Sequence, residues 1–148
     1  MNDKKIRAAR LEDSSEIADI CASSLGYDCS RELVCKKLAV IDNNRERVFV
    51  AVSDEKVIGF VHCEKYDVLY FETLVNILGI AVAKDYKHKG IGRMLMLAVE
   101  EWARQIGAVG IRLNSGETRT EAHKFYRSMG FDDEKMQIRF NKTFKSEL

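Results

Sequence analysis

The segment with the clearest chemical content joins an apolar strand to an amphipathic helix. Residues 77–83 are wholly apolar, and residues 84–93 read KDYKHKGIGR. The first N–H groups of a helix have no partner within it, and the lack of a Cβ at Gly90 and Gly92 lets an anion approach them. This segment carries four basic side chains against one carboxylate, in a chain of net charge +1. We expect a phosphate-binding turn here, although strand-to-helix turns in many folds need glycine for steric reasons alone.

Two familiar phosphate motifs are absent from this turn. The P-loop requires a glycine, four residues and then Gly-Lys followed by Ser or Thr, and no such run occurs. A dinucleotide fingerprint would require a third glycine at the position of Leu95. We therefore expect neither nucleoside triphosphate hydrolysis nor dinucleotide binding.

The elements that must position the turn can be predicted from hydrophobic periodicity. The sequence has no proline, so glycines and polar clusters mark the ends of elements. Asp13 and Glu16 have the spacing of a capping box at the start of the first helix. The order β-α-α-β-β-β-α-β-α-β indicates an α/β (α+β) fold with a mixed sheet. In chain order we expect strand 6–9, helices 14–24 and 30–41, strands 47–52, 57–64 and 74–83, helix 91–106, strand 109–114, helix 120–129 and strand 136–144.

Length and composition exclude several classes of protein. A chain of 148 residues is typical of one domain, so we expect a single domain over residues 1–148. The net charge of +1 provides no field for nucleic acid, and the longest apolar run is too short to span a bilayer. The N-terminus lacks the apolar stretch of a secretory signal, and no Cys-x-x-Cys pair or helical pair of ligands predicts a metal. We expect a cytoplasmic protein with reduced thiols and no metal.

Two segments together resemble the signature of a known enzyme family. Residues 82–95 read VAKDYKHKGIGRML, similar to the pattern Arg/Gln-x-x-Gly-x-Gly/Ala after a central strand. Residues 121–131 read EAHKFYRSMGF, similar to an A-x-x-F-Y-x-x-x-G-F segment. Both patterns are typical of the GNAT superfamily of acyl-CoA-dependent N-acyltransferases, and the resemblance covers essentially the whole chain. It implies a mostly antiparallel central sheet of six to seven strands flanked by about four helices, and acetyl transfer from acetyl-CoA to a primary amine of a small molecule or peptide by direct attack.

The resemblance assigns cofactor binding to residues of both segments. The turn would hold the pyrophosphate of acetyl-CoA, and the central strand would bind the acetyl carbonyl and the pantetheine arm where two parallel strands splay apart. Lys87 replaces the Arg or Gln of the family pattern, so a fork of donors becomes a single ammonium. Arg119 replaces an asparagine that many relatives have beside the pantetheine. The residues assigned are Ile80, Ala81, Val82, Lys87, His88, Lys89, Gly90, Ile91, Gly92, Arg93, Arg119 and Phe125.

Tyr126 is the titratable side chain that the resemblance places beside the thioester sulfur. Acyl transfer to an amine needs a neutral amine, stabilisation of the oxyanion and a proton for the departing thiolate. A phenol with a pKa of about 10 can supply that proton. We therefore expect Tyr126 to be catalytic, although its helical spacing from Phe125 and Met129 alone would favour a core aromatic.

The general base is left open by the sequence. Some relatives have a glutamate on the central strand where this chain has Asn76, which takes no proton at neutral pH. His62, Glu64 and Glu72 lie on adjoining strand segments. Histidine has a suitable unperturbed pKa of about 6.5, yet a histidine in a strand is more often structural. A relay through ordered water is an equal alternative.

The acceptor is also left open. In the family, the loop between the first two helices usually forms one wall of the acceptor site, and here residues 26–32 read GYDCSRE. Asp28 or Glu32 could hold a cationic amine or be an ordinary solvated carboxylate. Small amines, peptide N-termini and protein lysines all remain open as acceptors. Whether the protein forms a homodimer is a separate open question. The alternatives to an enzyme are a non-catalytic domain that binds or senses acyl-CoA and an unrelated interaction domain.

Overall fold

A computed structural model of the protein describes residues 3–145, which divide into two compact units. The first unit runs to Asn114 and the second begins at Ser115. Helices α1 to α3 and all five described strands lie in the first unit, and α4 lies in the second. The strands are β1 (Lys4–Ala8), β2 (Glu46–Ser53), β3 (Lys56–Tyr66), β4 (Leu74–Val82) and β5 (Ile111–Leu113), and the helices are α1 (Ser14–Ile20), α2 (Arg31–Ala39), α3 (Ile91–Gln105) and α4 (Thr120–Ser128).

The five strands form one sheet in the order β1-β2-β3-β4-β5. All neighbours are antiparallel except β4 and β5, which are parallel. The parallel pairing runs only from Val75 opposite Ile111 to Ile77 opposite Leu113, whereas β4 continues beside β3 as far as Val82. The mixed α/β class and the helix order are therefore confirmed, and the strand that precedes the glycine turn has one edge that β5 leaves uncovered.

The predicted count of six to seven strands is wrong for the described residues. The expected last strand, 136–144, lies in a stretch with neither helix nor strand, and Met136, Ile138 and Phe140 are exposed there. Alternating apolar residues favour a strand, but a strand forms only where a neighbour satisfies its N–H and C=O groups. The sequence pattern alone does not supply that neighbour.

Helices cover both faces of the sheet in the first unit. Ile17 and Ile20 of α1 pack with Phe60 of β3 in a buried cluster. Gly59 points to the opposite face, where an added Cβ would lie 3.2 Å from side-chain atoms of both Ile91 and Leu95 of α3. Close packing of α3 on this glycine fixes where the helix begins. None of the helices in the described part of the chain has the length and apolar character needed to cross a membrane.

The predicted capping box at the start of α1 is wrong. The Asp13 carboxylate accepts hydrogen bonds from two nitrogens of Arg7, at 2.7 and 2.9 Å, and from the Arg10 amide at 2.7 Å. Glu16 instead accepts a hydrogen bond from the Val57 amide at 2.9 Å. Both carboxylates therefore tie α1 to other parts of the first unit, because tertiary donors replaced the local ones that sequence spacing suggested.

The ion pair between Arg7 and Asp13 makes the stability of the fold dependent on pH. Burial alone would raise the pKa of Asp13, but the bonds from Arg7 and from the Arg10 amide outweigh burial and hold this pKa below its ordinary value. The folded chain thus binds this proton less readily than the unfolded chain. The resulting stabilisation is present above about pH 4 and is lost as the pH falls through the folded pKa.

Asp13→Asn should lower the free energy of unfolding at pH 7 by about 3 kcal/mol, because it leaves the Arg7 charge without its partner. Denaturant unfolding at pH 7 and at pH 3 measures this, and the difference from the unmodified protein should shrink at pH 3. Glu121→Gln is the control, because Glu121 meets Lys124 at 3.4 Å on an exposed surface and should contribute less than about 0.5 kcal/mol. Equal losses in the two variants would contradict the prediction.

Candidate functional site

The predicted phosphate-binding turn lies between the end of β4 at Val82 and the start of α3 at Ile91. Gly90 is the residue before the helix and has a left-handed φ of 81°. His88 also has a positive φ, 62°, which costs a residue with a Cβ roughly 1–2 kcal/mol. Backbone strain of this kind is concentrated at ligand-binding sites. The turn is thus held in a conformation that its own residues do not all prefer.

The start of α3 presents its backbone to an open space. The Met94 amide donates to the Gly90 carbonyl at 3.1 Å as the first helical hydrogen bond, and the N–H groups before it are those that a helix start offers to an anion. A Cβ added at Gly90 would meet nothing within 4 Å. Gly92 lies in the first turn of the helix and likewise adds no side chain. The side chain of Ile91 is buried, so its amide is the group that it can offer.

Basic side chains surround this helix start. Lys87, His88, Lys89 and Arg93 are all exposed. The Lys89 ammonium lies 5.5 Å from the centre of the Tyr86 ring, so a cation–π contact holds it beside the turn. The positive end of the α3 dipole adds to these charges. The residues predicted from 87–93 are therefore brought together, and their backbone and charges fit a diphosphate.

The outer edge of β4 fits an extended ligand. The Ala83 amide donates to the Ile58 carbonyl on β3 at 2.8 Å. Because paired and unpaired positions alternate along an antiparallel ladder, Ala81 also bonds to β3, whereas Ile80 and Val82 direct their N–H and C=O groups away from it. Ile80 and Val82 thus point to the edge that β5 leaves uncovered, where the Val82 carbonyl accepts from the Ser24 hydroxyl, and their contacts with an acetyl group or pantetheine stay predictions. The Ala81 side chain packs in the buried cluster with Phe60, and a direct contact of Ala81 with cofactor stays a prediction.

The turn that precedes the predicted acceptor-wall loop is anchored at the end of β4. The Ser24 hydroxyl donates to the Val82 carbonyl at 2.8 Å and anchors the π-helical turn Cys21–Leu25 there. Burial, with the neighbouring Cys29 thiol, raises the pKa of Cys21 to about 11, so this thiol stays protonated at neutral pH. Asp28 and Glu32 are exposed, as solvated carboxylates would be.

A row of polar side chains crosses the sheet on the face that Phe60 shares. The Asn76 amide nitrogen donates to Glu64 at 2.8 Å, and the Asn76 oxygen accepts from Arg112 at 2.6 Å. The Arg112 guanidinium lies 4.5 Å from the centre of the Tyr66 ring. Asn76 is therefore the centre of a structural link between three strands. Across residues 3–145, no group of three or more His, Cys, Asp or Glu is arranged to hold a metal ion.

A second polar contact on the same face joins β2 and β3. His62 Nε2 lies 2.7 Å from Glu46 Oε1. Sequence reasoning noticed His62 but missed Glu46 and Arg112. These two residues could be found only from the register of the strands, which places Glu46 opposite Glu64 and Asn76 opposite Arg112.

The second unit carries the remaining predicted residues, Arg119, Phe125 and Tyr126. The Tyr126 ring lies 5.5 Å from the Phe125 ring and 5.9 Å from the Phe131 ring, measured between centres. Burial raises the pKa of Tyr126, and the charge of Arg119 offsets this only in part. The phenol therefore stays protonated at neutral pH and can donate a proton.

Known proteins resemble this chain in sequence and in fold. The profile of the Acetyltransferase (GNAT) family matches residues 12–131. The chain is 41% identical over 54 residues to Uncharacterized N-acetyltransferase YhdJ of Bacillus subtilis (strain 168), across 36% of this chain and 38% of that protein. It is 31% identical over 84 residues to N-acetyltransferase 8 of Homo sapiens, across 56% of this chain and 37% of that protein. The matches thus span well under half the length of these two curated relatives.

The fold is also that of a solved acetyltransferase. Aminoglycoside N-acetyltransferase AAC(6')-Iy, solved in complex with CoA, superposes with a TM-score of 0.82 at 18% sequence identity, covering 96% of each chain. At this identity the match establishes the shared fold.

Gly90→Ala should lower the free energy of unfolding by about 1 kcal/mol, because the left-handed φ of 81° penalises a Cβ even though space is available for it. Gly92→Ala is the matched control, since alanine in a helical position should leave stability unchanged or raise it by about 0.5–1 kcal/mol. Denaturant unfolding of both variants measures the two effects. An equal loss of unfolding free energy in Gly92→Ala and Gly90→Ala would show that steric crowding by the added methyl group, and not backbone strain, causes the effect.

Proposed function

Because this chain belongs to the acetyltransferase (GNAT) family, we propose that it transfers the acetyl group of acetyl-CoA to a primary amine. The observation that carries this proposal is the continuity of two features along one stretch of backbone. The edge of β4 that β5 leaves uncovered at Ile80 and Val82 is followed, after a short 3-10 turn at Lys84–Tyr86, by the open, left-handed turn at Gly90. An extended arm that ends in a diphosphate matches both features.

The residues of the turn would bind the diphosphate of the acetyl donor. The amides of 88–93 would donate hydrogen bonds, and Lys87, Lys89 and Arg93 would add charge. The Ile80 backbone and the Val82 amide would pair with the pantetheine arm as a neighbouring strand does, beside the Val82 carbonyl that accepts from Ser24, and the pairing would orient the thioester. Acetyl-CoA supplies an activated carbonyl carbon with a thiolate leaving group.

The chain's own groups would then serve the transfer. An N–H group on the outer edge of β4 would stabilise the developing oxyanion. Tyr126, protonated at neutral pH, would give its proton to the departing sulfur and regain one from the amine nitrogen. The family pattern assigns Phe125 and Arg119 to cofactor binding as well, and this assignment stays a prediction.

The acceptor class follows from the chemistry of the relatives and not from a described contact. Solved neighbours of similar fold include acetyltransferases of aminoglycosides. Polyamines, aminoglycosides, amino acids and peptides are therefore the first acceptors to test. A homodimer, a cytoplasmic location and a single-domain organisation stay predictions.

A second candidate, an acyl-CoA sensor without turnover, is favoured by one observation. Asn76 occupies the place of the glutamate base of some relatives and is held between Glu64 and Arg112. A sensor would show a rise in melting temperature with acetyl-CoA but no thiol release with any amine. Release of coenzyme A with one amine class would exclude it.

Tyr126→Phe should lower kcat about 100-fold while leaving the rise in melting temperature with acetyl-CoA intact, because only the proton donor is removed. Thiol release with the best acceptor and a melting curve with and without acetyl-CoA measure both quantities. Tyr70→Phe is the matched control, because Tyr70 is exposed in the β3–β4 connection. Undiminished turnover in Tyr126→Phe would remove this residue from the mechanism.

Gly92→Ala should weaken coenzyme A binding roughly tenfold or more, about 1.4 kcal/mol, while the protein remains as stable as before. The physical reason is the new methyl group at the helix start, where the diphosphate must approach the backbone. Titration calorimetry with coenzyme A gives the affinity, and unfolding curves give the stability. Unchanged affinity would place the diphosphate elsewhere.

A further inference from the structure

His62 is held in one orientation by a carboxylate. Its Nε2 lies 2.7 Å from Glu46 Oε1, and the two side chains are 34% and 32% exposed, so both stay within reach of solvent. A carboxylate only accepts, so in the neutral imidazole the proton is on Nε2 and the lone pair is on Nδ1. A neutral imidazole fixed in this way by a carboxylate is a proton acceptor with a defined direction.

The imidazole is next to an open patch of the sheet. His62 pairs directly with Gly79 of β4, so both residues belong to the same face. A Cβ added at Gly79 would find its nearest neighbour, the Phe60 ring, only at 4.0 Å. Apart from its two chain neighbours, Gly79 therefore has only the Phe60 ring within 4 Å of its Cβ position, and it adds no side chain of its own next to His62.

This patch adjoins the position proposed for the acetyl carbonyl. Ile80 follows Gly79 and directs its backbone to the outer edge, about 5 Å from β3 in the sheet. An amine that attacks a carbonyl held at Ile80 from this face would lie over Gly79. There it would lie on the same face of the sheet as His62, on the strand that pairs with β3 at this residue, and a base can act directly or through one water.

The other candidate bases are placed less well. Glu64 accepts a hydrogen bond from Asn76 at 2.8 Å, and Arg112 holds the far side of that amide. Glu72 is exposed in the connection between β3 and β4. Of the candidates that the sequence raised, His62 thus combines a fixed orientation with a free nitrogen.

We propose that His62 is the general base of the acetyl transfer and that Glu46 is its positioning residue, an inference that rests on the proposed function. An ammonium acceptor gives one proton to His62 Nδ1, and the nitrogen lone pair then forms the C–N bond with the carbonyl carbon. The C–S bond breaks with its electron pair on sulfur. A second proton from nitrogen reaches the sulfur, which leaves an amide and a free thiol, and His62 returns its proton to solvent.

Charged groups lie near His62 on several of the elements that pack around it. Glu46 faces it from β2 and Glu64 lies two residues along β3, while β4 carries no titratable side chain. Arg112 of β5 is bonded to Asn76, and Glu16 of α1 binds the Val57 amide near the start of β3. The helix α3 packs on the opposite face, at Gly59. Glu46 is thus the charged group in direct contact with the ring.

His62→Gln should lower kcat/KM about 100-fold near neutral pH and leave the melting-temperature rise with acetyl-CoA unchanged. The loss should shrink at alkaline pH, where the acceptor amine is already deprotonated in solution. His123→Gln is the matched control, because His123 binds the Gly116 carbonyl at 2.8 Å within the second unit. Its activity and pH profile should equal those of the unmodified protein.

Glu46→Ala tests the positioning role without depending on turnover. Nitrogen NMR spectra of the protein without ligand should show His62 protonated on Nε2 at alkaline pH, and this preference should be lost in Glu46→Ala. The same variant should lower kcat about tenfold with little change in KM for the acceptor. Melting curves of both variants confirm that they fold.

The outcomes separate the two proposals. Coenzyme A release by the unmodified protein, with a normal pH profile in His62→Gln, would overturn the role of His62 and leave the acetyltransferase intact. A bound acetyl-CoA with no thiol release from any amine would overturn both. A pH-dependent loss in His62→Gln, together with a changed tautomer in Glu46→Ala, would support the dyad.

Discussion

The site depends on where the hydrogen-bond ladder between β4 and β5 stops. Val75 to Ile77 pair with β5, and the rest of β4 pairs with β3 alone. Since backbone groups must find partners, a strand edge left uncovered within a sheet is a template for another extended chain. The alternation fixed by the bond from Ala83 to Ile58 then decides which groups face that edge, namely the backbone of Ile80 and of Val82, whose carbonyl accepts from Ser24. An extended ligand needs no special side chains to bind there, because the backbone supplies its contacts.

The same strand delivers the chain to a turn whose strain is balanced by packing. His88 and Gly90 both have positive φ, and only glycine adopts this without penalty. Ile91 is 1% exposed and packs against Gly59, where a Cβ would be too close. This contact pins the first turn of α3 and holds its amides in place before any ligand arrives. Pre-organised donors of this kind lose little entropy on binding. The tight packing of the helix start therefore favours binding at the open turn.

Much of this arrangement could be predicted from the sequence because its signals are local. The glycine spacing at 90 and 92, the apolar run of β4 and the stripe of α3 each predict an element from neighbouring residues alone. Asp13 and Glu16 show the limit, because their spacing favoured a local cap and their actual partners lie on β1 and β3. The stretch 136–144 shows the same limit. Its alternating apolar residues predicted a strand, but among the described residues it pairs with no neighbouring strand. The contact between Glu46 and His62 could not be predicted because it requires the register of β2 on β3.

Asn76 shows that the proposed general base of this chain must lie at another position than the central-strand glutamate of some relatives. An amide at this position takes no proton, and it joins Glu64 of β3 to Arg112 of β5 through its two polar atoms. One oxygen of the Glu64 carboxylate is thus already engaged as an acceptor within this link. The proton acceptor is then best placed on the neighbouring strand, where Gly79 leaves room beside His62. Because His62 pairs directly with Gly79, just before the register of β3 on β4 shifts at Cys63, a base on β3 can approach a carbonyl held at Ile80 from the same face of the sheet as a base on β4 would.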